Sequence, residues 1–219
     1  MKILSDRSGE PLILTGDGRG EFYLLSVIAQ KLNGTSIILY FPFFQSKVLV
    51  EIPKTRTTLV VLESLIEYVE GYDVKLFLVV LDLEHFTRGI REDIREKFES
   101  FGVTIAEIEA LNPPQDNALR VEGRSNSGRD FAALIAVMGD ESCPNTEFHI
   151  AHLIEEKYGV WLDPPTRDND KIKFLEKVRE ITRVRNYGKL IEILSEEELT
   201  KFFPQLMYAL KVVERLIEP

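Results

Sequence analysis

The chain has 219 residues, 44% of them hydrophobic, which is enough to fold around a core of its own. Its formal net charge of −9 argues against binding a phosphate backbone through a broad basic surface, although it does not exclude a local basic cleft. The single cysteine, Cys143, excludes an intramolecular disulfide framework and favours a reducing compartment. The early charges of the N-terminus and the lack of an apolar run of roughly 18 residues predict a cytoplasmic protein with no signal peptide and no membrane partner.

The first predicted element is a short apolar strand at residues 12–14, followed by a glycine-rich turn at residues 16–21. Apolar residues at helical spacing come next, and the pair at 33–34, Asn-Gly, ends that helix. A strand, a glycine turn and a helix in this order bring backbone N–H groups to a phosphate or another anion. The spacing fits neither the Rossmann nor the P-loop fingerprint, and a tight turn with positive φ also explains the glycines. Asp17 and Glu21 are the candidates for chemistry here.

The next elements lead to the predicted centre of the sheet. A second strand is expected at residues 37–41, and residues 43–52 are expected to return as a hairpin or edge strand. Residues 55–69 have the apolar spacing of an amphipathic helix. The run at residues 76–81 is continuously apolar, which predicts a strand buried on both faces in the centre of a parallel sheet.

Two carboxylates, Asp82 and Glu84, follow this run directly. On an extended backbone they project from the same face, at the strand end where open α/β sheets collect ligands. Two like charges side by side repel each other unless a cation joins them or one is protonated. Mg²⁺ takes one or two carboxylates and keeps several waters, so the pair is a candidate magnesium site. The alternative is that a buried strand simply reaches solvent here.

The following segment is predicted to complete the sheet. A helix and two strands are expected at residues 87–101, 103–108 and 118–121, with a proline-containing loop at 113–117 before the last of them. A polar segment with Arg124 and Arg129 comes next. The strand at residues 131–138 is again continuously apolar and ends in acids, at Asp140 and Glu141.

A helix that starts near Phe148 carries His149 and His152 one turn apart. Two such histidines can share a metal, but no third ligand at the right spacing is evident. Surface or capping histidines are therefore the preferred interpretation.

From residue 163 onward the pattern is helical. Helical segments are expected at residues 170–183, 187–194 and 195–217. Ser195 and Glu198 have the spacing of a capping box, and Pro204 is expected to start a new helix at its first turn.

The alternation of strands and helices predicts an α/β fold, with a mostly parallel central sheet flanked by helices. Residues 1–162 are assigned to this domain, and residues 163–219 to a C-terminal helical extension packed on the same domain. Acids then lie at the ends of three strands, at Asp17 and Glu21, at Asp82 and Glu84, and at Asp140 and Glu141.

Two of these motifs resemble the topoisomerase–primase (toprim) domain, in which a first strand ends in a glutamate–glycine turn and a later apolar strand ends in an Asp-x-Asp pair. Here the first motif is Leu-Thr-Gly-Asp-Gly-Arg-Gly-Glu-Phe at residues 14–22, and the second is Leu-Val-Val-Leu-Asp-Leu-Glu at residues 78–84. The chain is also similar to small, uncharacterised archaeal and bacterial toprim-related proteins, in which a short helix carries an acid in its first turn, as Glu147 does here. Two positions depart from the family. The first glutamate of the family pattern corresponds here to Asp17 or Gly16, or is supplied by Glu21. The second acid of the Asp-x-Asp pair is a glutamate here, Glu84.

The resemblance implies a Mg²⁺-dependent, nuclease-like protein that acts on phosphodiesters, with nucleic acid or a nucleotide as its partner. In this hypothesis Asp82 and Glu84 hold the metal, and Asp17 or Glu21 is the general acid/base or a further ligand. The phosphate-binding candidates are Arg19, Arg124 and Arg129, and the other candidate acids are Asp140 and Glu147.

Two alternatives stay open. A non-catalytic scaffold, or a nucleotide- or nucleic-acid-binding protein with a degenerate site, is favoured by the imperfect acids and the negative net charge. A nucleotide-sensing domain would instead read its ligand through the turn at residues 16–20.

Overall fold

The computed structural model describes residues 12–15, 24–25, 27–28, 58–113, 115–165 and 168–217. Its strands, in chain order, are β1 (Leu12–Thr15), β2 (Leu76–Asp82), β3 (Thr104–Asn112), β4 (Gln115–Arg124) and β5 (Asp130–Met138). Within these ranges they form one open sheet in the order β1-β2-β5-β4-β3. β1, β2 and β5 run parallel, whereas β4 is antiparallel to both of its neighbours. The predicted α/β fold is confirmed, and the sheet is mixed, since its parallel pairs are confined to β1, β2 and β5.

β2 is the buried strand of the parallel half because its sequence has no polar face. Every residue from Phe77 to Asp82 is buried, and the strand pairs with β1 on one side and β5 on the other. Val79, for example, lies between Leu14 of β1 and Ile135 of β5. A continuous apolar run is typical of a strand covered on both faces, so the prediction for this stretch is confirmed.

Helices cover both faces of the sheet. One face packs against α1 (Val61–Tyr72) and α2 (Ile90–Ser100). The other packs against α3 (Glu147–Tyr158), α4 (Asp168–Thr182), α5 (Tyr187–Glu192), α6 (Glu196–Phe202) and α7 (Pro204–Ile217). Alternate residues of β2 divide between the two layers, since Leu78 faces the second group and Phe77 the first. Burying one such side chain stabilises the fold by about 1.5–3 kcal/mol.

The C-terminal helices begin where their capping residues predict. The Ser195 side chain accepts a hydrogen bond from the backbone of Glu198, whose own carboxylate accepts from the backbone N–H of Ser195. This capping box starts α6 and confirms the prediction. Pro204 is the first residue of α7, as expected for a ring that lacks a backbone donor and fits the first turn. α7 packs across β5, β4 and β2.

Several predicted boundaries differ from the structure. α1 continues through Gly71 to Tyr72, and Asp73 ends it in the left-handed conformation with a φ of 54°. Glycine costs only about 1 kcal/mol inside a helix, which the burial of Leu65 and Val69 on the same face outweighs. The predicted loop at residues 113–117 is wrong for its last three residues, which belong to β4.

Some predicted features lie outside the described residues: the glycine turn at 16–21, the helix end at 33–34, the strand at 37–41 and the returning segment at 43–52. In the part of the chain that is described, no helix has the length and apolar character needed to span a membrane.

Candidate functional site

The acids that follow β2 and β5 lie at the same edge of the sheet. Asp82 is paired in register with Met138, the last residue of β5, so Asp140 follows close to Asp82 along the edge. β1 ends at Thr15, which is paired with Val80 of β2. The chain therefore leaves β1 at this edge too. The three candidates of the glycine turn, Asp17, Arg19 and Glu21, lie outside the described residues.

Asp82 is held at the start of α3. Its side chain is 1% exposed, and its Oδ1 accepts hydrogen bonds from the backbone N–H of Thr146 at 3.0 Å and from the Thr146 hydroxyl at 2.8 Å. Thr146 directly precedes α3. The first N–H groups of a helix have no partner within it, and a negative charge is favourable there. The carboxylate of Asp82 therefore joins the end of β2 to the start of α3.

Glu84 points toward α4. The extended backbone that would place it on the same face as Asp82 ends at Asp82, because one turn of 3₁₀-helix (Leu83–His85) follows. The Glu84 N–H donates to the carbonyl of Pro144 at 2.8 Å, which fixes the turn against the loop before α3. Its Oε1 accepts from the Nζ of Lys171 at 3.0 Å.

Glu147, the first residue of α3, brings a third carboxylate to this place. It is 3% exposed, and its Oε1 accepts a hydrogen bond from the Tyr187 hydroxyl at 3.1 Å. Its Oε2 is buried and receives no hydrogen bond from any described residue. Burial raises the pKa of Glu147, and the neighbouring Lys171 only partly opposes this. The sequence offered Glu147 as a further candidate, and the structure places it near enough to Glu84 for that charge to raise its pKa further.

Lys171 is the candidate site residue that the sequence reasoning missed. Burial disfavours its charge, but the carboxylates of Glu147, Glu84 and Asp82 outweigh this effect and raise its pKa above the ordinary value. Lys171 therefore carries a positive charge at neutral pH. The helical spacing gave one indication of its position. Lys171 lies three residues before Phe174, so it shares a helix face with this buried residue of α4. In the sequence, however, this lysine stands among many charged residues, a pattern that is typical of a solvent-exposed helix face.

We call Asp82, Glu84 and Glu147 the acidic cluster. Among the described residues, the ammonium of Lys171 contacts Glu84 and is attracted by the charges of Glu147 and Asp82. Carboxylate oxygens are the donors that a hard cation such as Mg²⁺ prefers, and this ion needs only one or two of them besides water or phosphate. The donor chemistry thus fits Mg²⁺. Across the described ranges, however, no three side chains of His, Cys, Asp or Glu are arranged as a ligand set.

Asp140 reaches the same edge but is used within its own loop. Its Oδ1 accepts hydrogen bonds from the backbone N–H groups of Ser142 at 2.8 Å and Cys143 at 2.9 Å. Burial favours the neutral acid, but a hydrogen bond from the Ser142 hydroxyl at 2.6 Å and the two backbone ones prevail and lower the pKa of Asp140. The loop is tight, since Gly139 has a φ of 90° and a Cβ there would collide with the backbone of Asn145. Asp140 therefore stabilises a turn.

Arg124 and Arg129 lie at the opposite edge of the sheet. Arg124 donates to Asp130, the first residue of β5, at 2.7 Å, and Arg129 donates to the carbonyl oxygens of Val69 and Glu70 at the end of α1. The length of β5, roughly 26 Å, separates Asp130 from the edge with the acidic cluster. The structure does not bring these arginines to the acids, because β4 is antiparallel and carries the polar segment to the far edge.

The two histidines of α3 have different surroundings. His149 is buried, and its Nε2 accepts the N–H of Gly139 at 3.0 Å, so the lone pair of this nitrogen is used within the protein. His152 has a half-exposed side chain 3.8 Å from Glu155.

A cleft of about 630 Å³ opens at the same edge of the sheet, between the start of α3 and the junction of α6 with α7. The side chains that line much of it carry rings, in Phe148, His152 and Phe202, or amides, in Asn117 and Gln205. Its charged side chains are mostly acidic, with Asp140, Glu155 and Glu156 against Lys201.

The chain matches no protein-family model, no curated protein and no solved structure in comparisons with each of these. The functional proposal therefore depends on the geometry of this edge and on the sequence motifs that lead to it.

Proposed function

We propose that the protein is a Mg²⁺-dependent, nuclease-like enzyme that acts on phosphodiesters and is built on a toprim-like sheet. The observation that carries the proposal is the acidic cluster at the carboxyl edge of parallel strands, where Glu84 contacts the ammonium of Lys171. Open α/β sheets bind their ligands at this edge. The glycine turn that resembles the first toprim motif follows β1, which ends at the same edge.

In this proposal Asp82 and Glu84 would hold the ion, with Glu147 as a nearby acid. Thr146 fixes the orientation of the Asp82 carboxylate. A bound Mg²⁺ would stabilise the negative charge that develops on a phosphoryl oxygen. Asp17 or Glu21 would act as the general acid/base or as a further ligand, and Arg19 would contact the phosphate.

The test is Mg²⁺-dependent cleavage of labelled single-stranded and double-stranded DNA and of RNA. We expect Glu84→Gln, which removes one charge and keeps the side-chain size, to lower the cleavage rate by about 100-fold. The control is Glu99→Gln, at an exposed position near the far end of α2, and it should cleave at the wild-type rate. No cleavage of any substrate by the wild type, or full activity in Glu84→Gln, would contradict the proposal.

A second candidate function is metal-independent binding of a nucleotide or nucleic acid without catalysis. It is favoured by the contacts of the predicted metal pair, because Asp82 already contacts Thr146 and Glu84 already contacts Lys171. Fluorescence anisotropy of a labelled nucleotide or oligonucleotide in EDTA distinguishes the two. Binding in EDTA that persists in Asp82→Asn, without cleavage in Mg²⁺, would favour this second function.

A further inference from the structure

Lys171 occupies an unusual position for a lysine. It lies on the face of α4 that carries Phe174 and Val178 into the core, and its side chain is only 25% exposed. The ammonium contacts the Oε1 of Glu84 at 3.0 Å. The other two carboxylates of the acidic cluster also attract it. A lysine ammonium is a compact point charge on a flexible stem, so it can act as the counter-ion of several carboxylates at once.

Within the described part of the chain, one acceptor of this cluster is not satisfied by the ammonium. Glu147 is 3% exposed, yet its Oε2 has no hydrogen-bond partner in the described part of the chain. A buried carboxylate oxygen without a partner is costly and favours the approach of a further cation. The cluster therefore has both a resident cation and an acceptor that a second cation would satisfy.

We infer that Lys171 is the built-in counter-ion of the acidic cluster and competes with a divalent cation for it. The inference rests on the proposed function, since it concerns the same carboxylates. An ion coordinated by Glu84 would stand next to the ammonium, and the two positive charges would repel each other. The ammonium must therefore leave Glu84 when the metal binds, which lowers the metal affinity of the wild type.

Binding of Mn²⁺ alone to the full chain, measured by titration calorimetry at low ionic strength, tests this inference. We expect Lys171→Met to bind Mn²⁺ roughly tenfold more tightly than the wild type, or better. The matched control is Lys173→Met on the same helix, whose side chain is 74% exposed and pairs with Asp170 outside the acidic cluster. It should bind Mn²⁺ as the wild type does.

Two further variants separate charge from folding. Lys171→Arg keeps the positive charge and should keep the wild-type affinity or bind more weakly. Lys171→Gln removes the charge but keeps a polar tip, and it replaces Lys171→Met if circular dichroism shows that the methionine variant is not folded.

The outcomes distinguish the inference from the proposed function. If the wild type binds Mn²⁺ and the neutral variants bind no more tightly, the counter-ion role is wrong while the proposed function stands. If only the neutral variants bind, the counter-ion role is supported and the proposed function is wrong. If no protein binds Mn²⁺, both are wrong.

Discussion

Asp82→Ala is expected to lower the free energy of unfolding by about 3 kcal/mol and to abolish metal-dependent cleavage. The substitution removes the acceptor of two hydrogen bonds from Thr146, a residue that is itself 1% exposed. A buried donor that loses its acceptor costs about 1–3 kcal/mol. The favourable charge at the start of α3 is lost as well. The same change removes one of the proposed metal ligands.

Urea unfolding followed by circular dichroism measures the first effect, and the nuclease assay measures the second. Asp82→Asn is the matched control, because its amide oxygen can still accept from Thr146 while the negative charge is absent. We expect this variant to keep most of the folding free energy and still to lose cleavage. An Asp82→Ala protein of wild-type stability would show that the contact with Thr146 contributes little. Cleavage that survives in both variants would show that Asp82 is no metal ligand.

His149 is expected to make the unfolding free energy fall by about 3 kcal/mol between pH 6.5 and pH 4. Burial lowers the pKa of His149 from 6.5 to about 4, and each pKa unit corresponds to about 1.4 kcal/mol. Below pH 6.5 the unfolded chain binds a proton that the native state does not, so the native state loses stability as the pH falls. The contribution is present in full above pH 6.5 and is lost by about pH 4.

The measurement is urea unfolding at several pH values from 7 to 4 on two variants of α3. His149→Gln removes the buried titrating group and should flatten the pH dependence by the amount that His149 contributes. The control His152→Gln lies one turn away at a half-exposed position and should keep the wild-type slope. Equal slopes in the two variants would contradict the assignment of the pH dependence to His149.

The sequence predicted the strands and helix starts that depend on neighbouring residues only. β2 and β5 are continuous apolar runs, and both lie in the parallel half of the sheet. The capping box at Ser195 and the helix start at Pro204 depend on neighbouring residues only, and both were predictable for that reason.

The site depends on contacts between distant parts of the chain, which no local pattern encodes. Thr146 contacts Asp82 across 64 positions of sequence, and Lys171 contacts Glu84 across 87. The direction of β4 is also set by pairing, and it decides that Arg124 lies at the far edge. The motifs that resemble toprim pointed to Asp82 and Glu84 at the carboxyl end of β2, but they contain no information about Lys171, which contacts Glu84.

The two candidate functions, metal-dependent cleavage and metal-independent binding, differ in what happens to the contact between Lys171 and Glu84. By our inference, a metal-dependent enzyme would release this lysine to admit the ion, whereas a protein that binds without metal would keep it in place. Metal binding by the wild type is thus the property on which the functional proposal depends.

The most direct measurement is a calorimetric titration of the wild type and of Asp82→Asn with Mn²⁺, an ion that binds carboxylate sites more readily than Mg²⁺. We expect one Mn²⁺ ion per chain in the wild type and no binding in the variant. A wild type that binds no Mn²⁺, or an Asp82→Asn protein that binds it equally well, would contradict a metal site at this edge of the sheet.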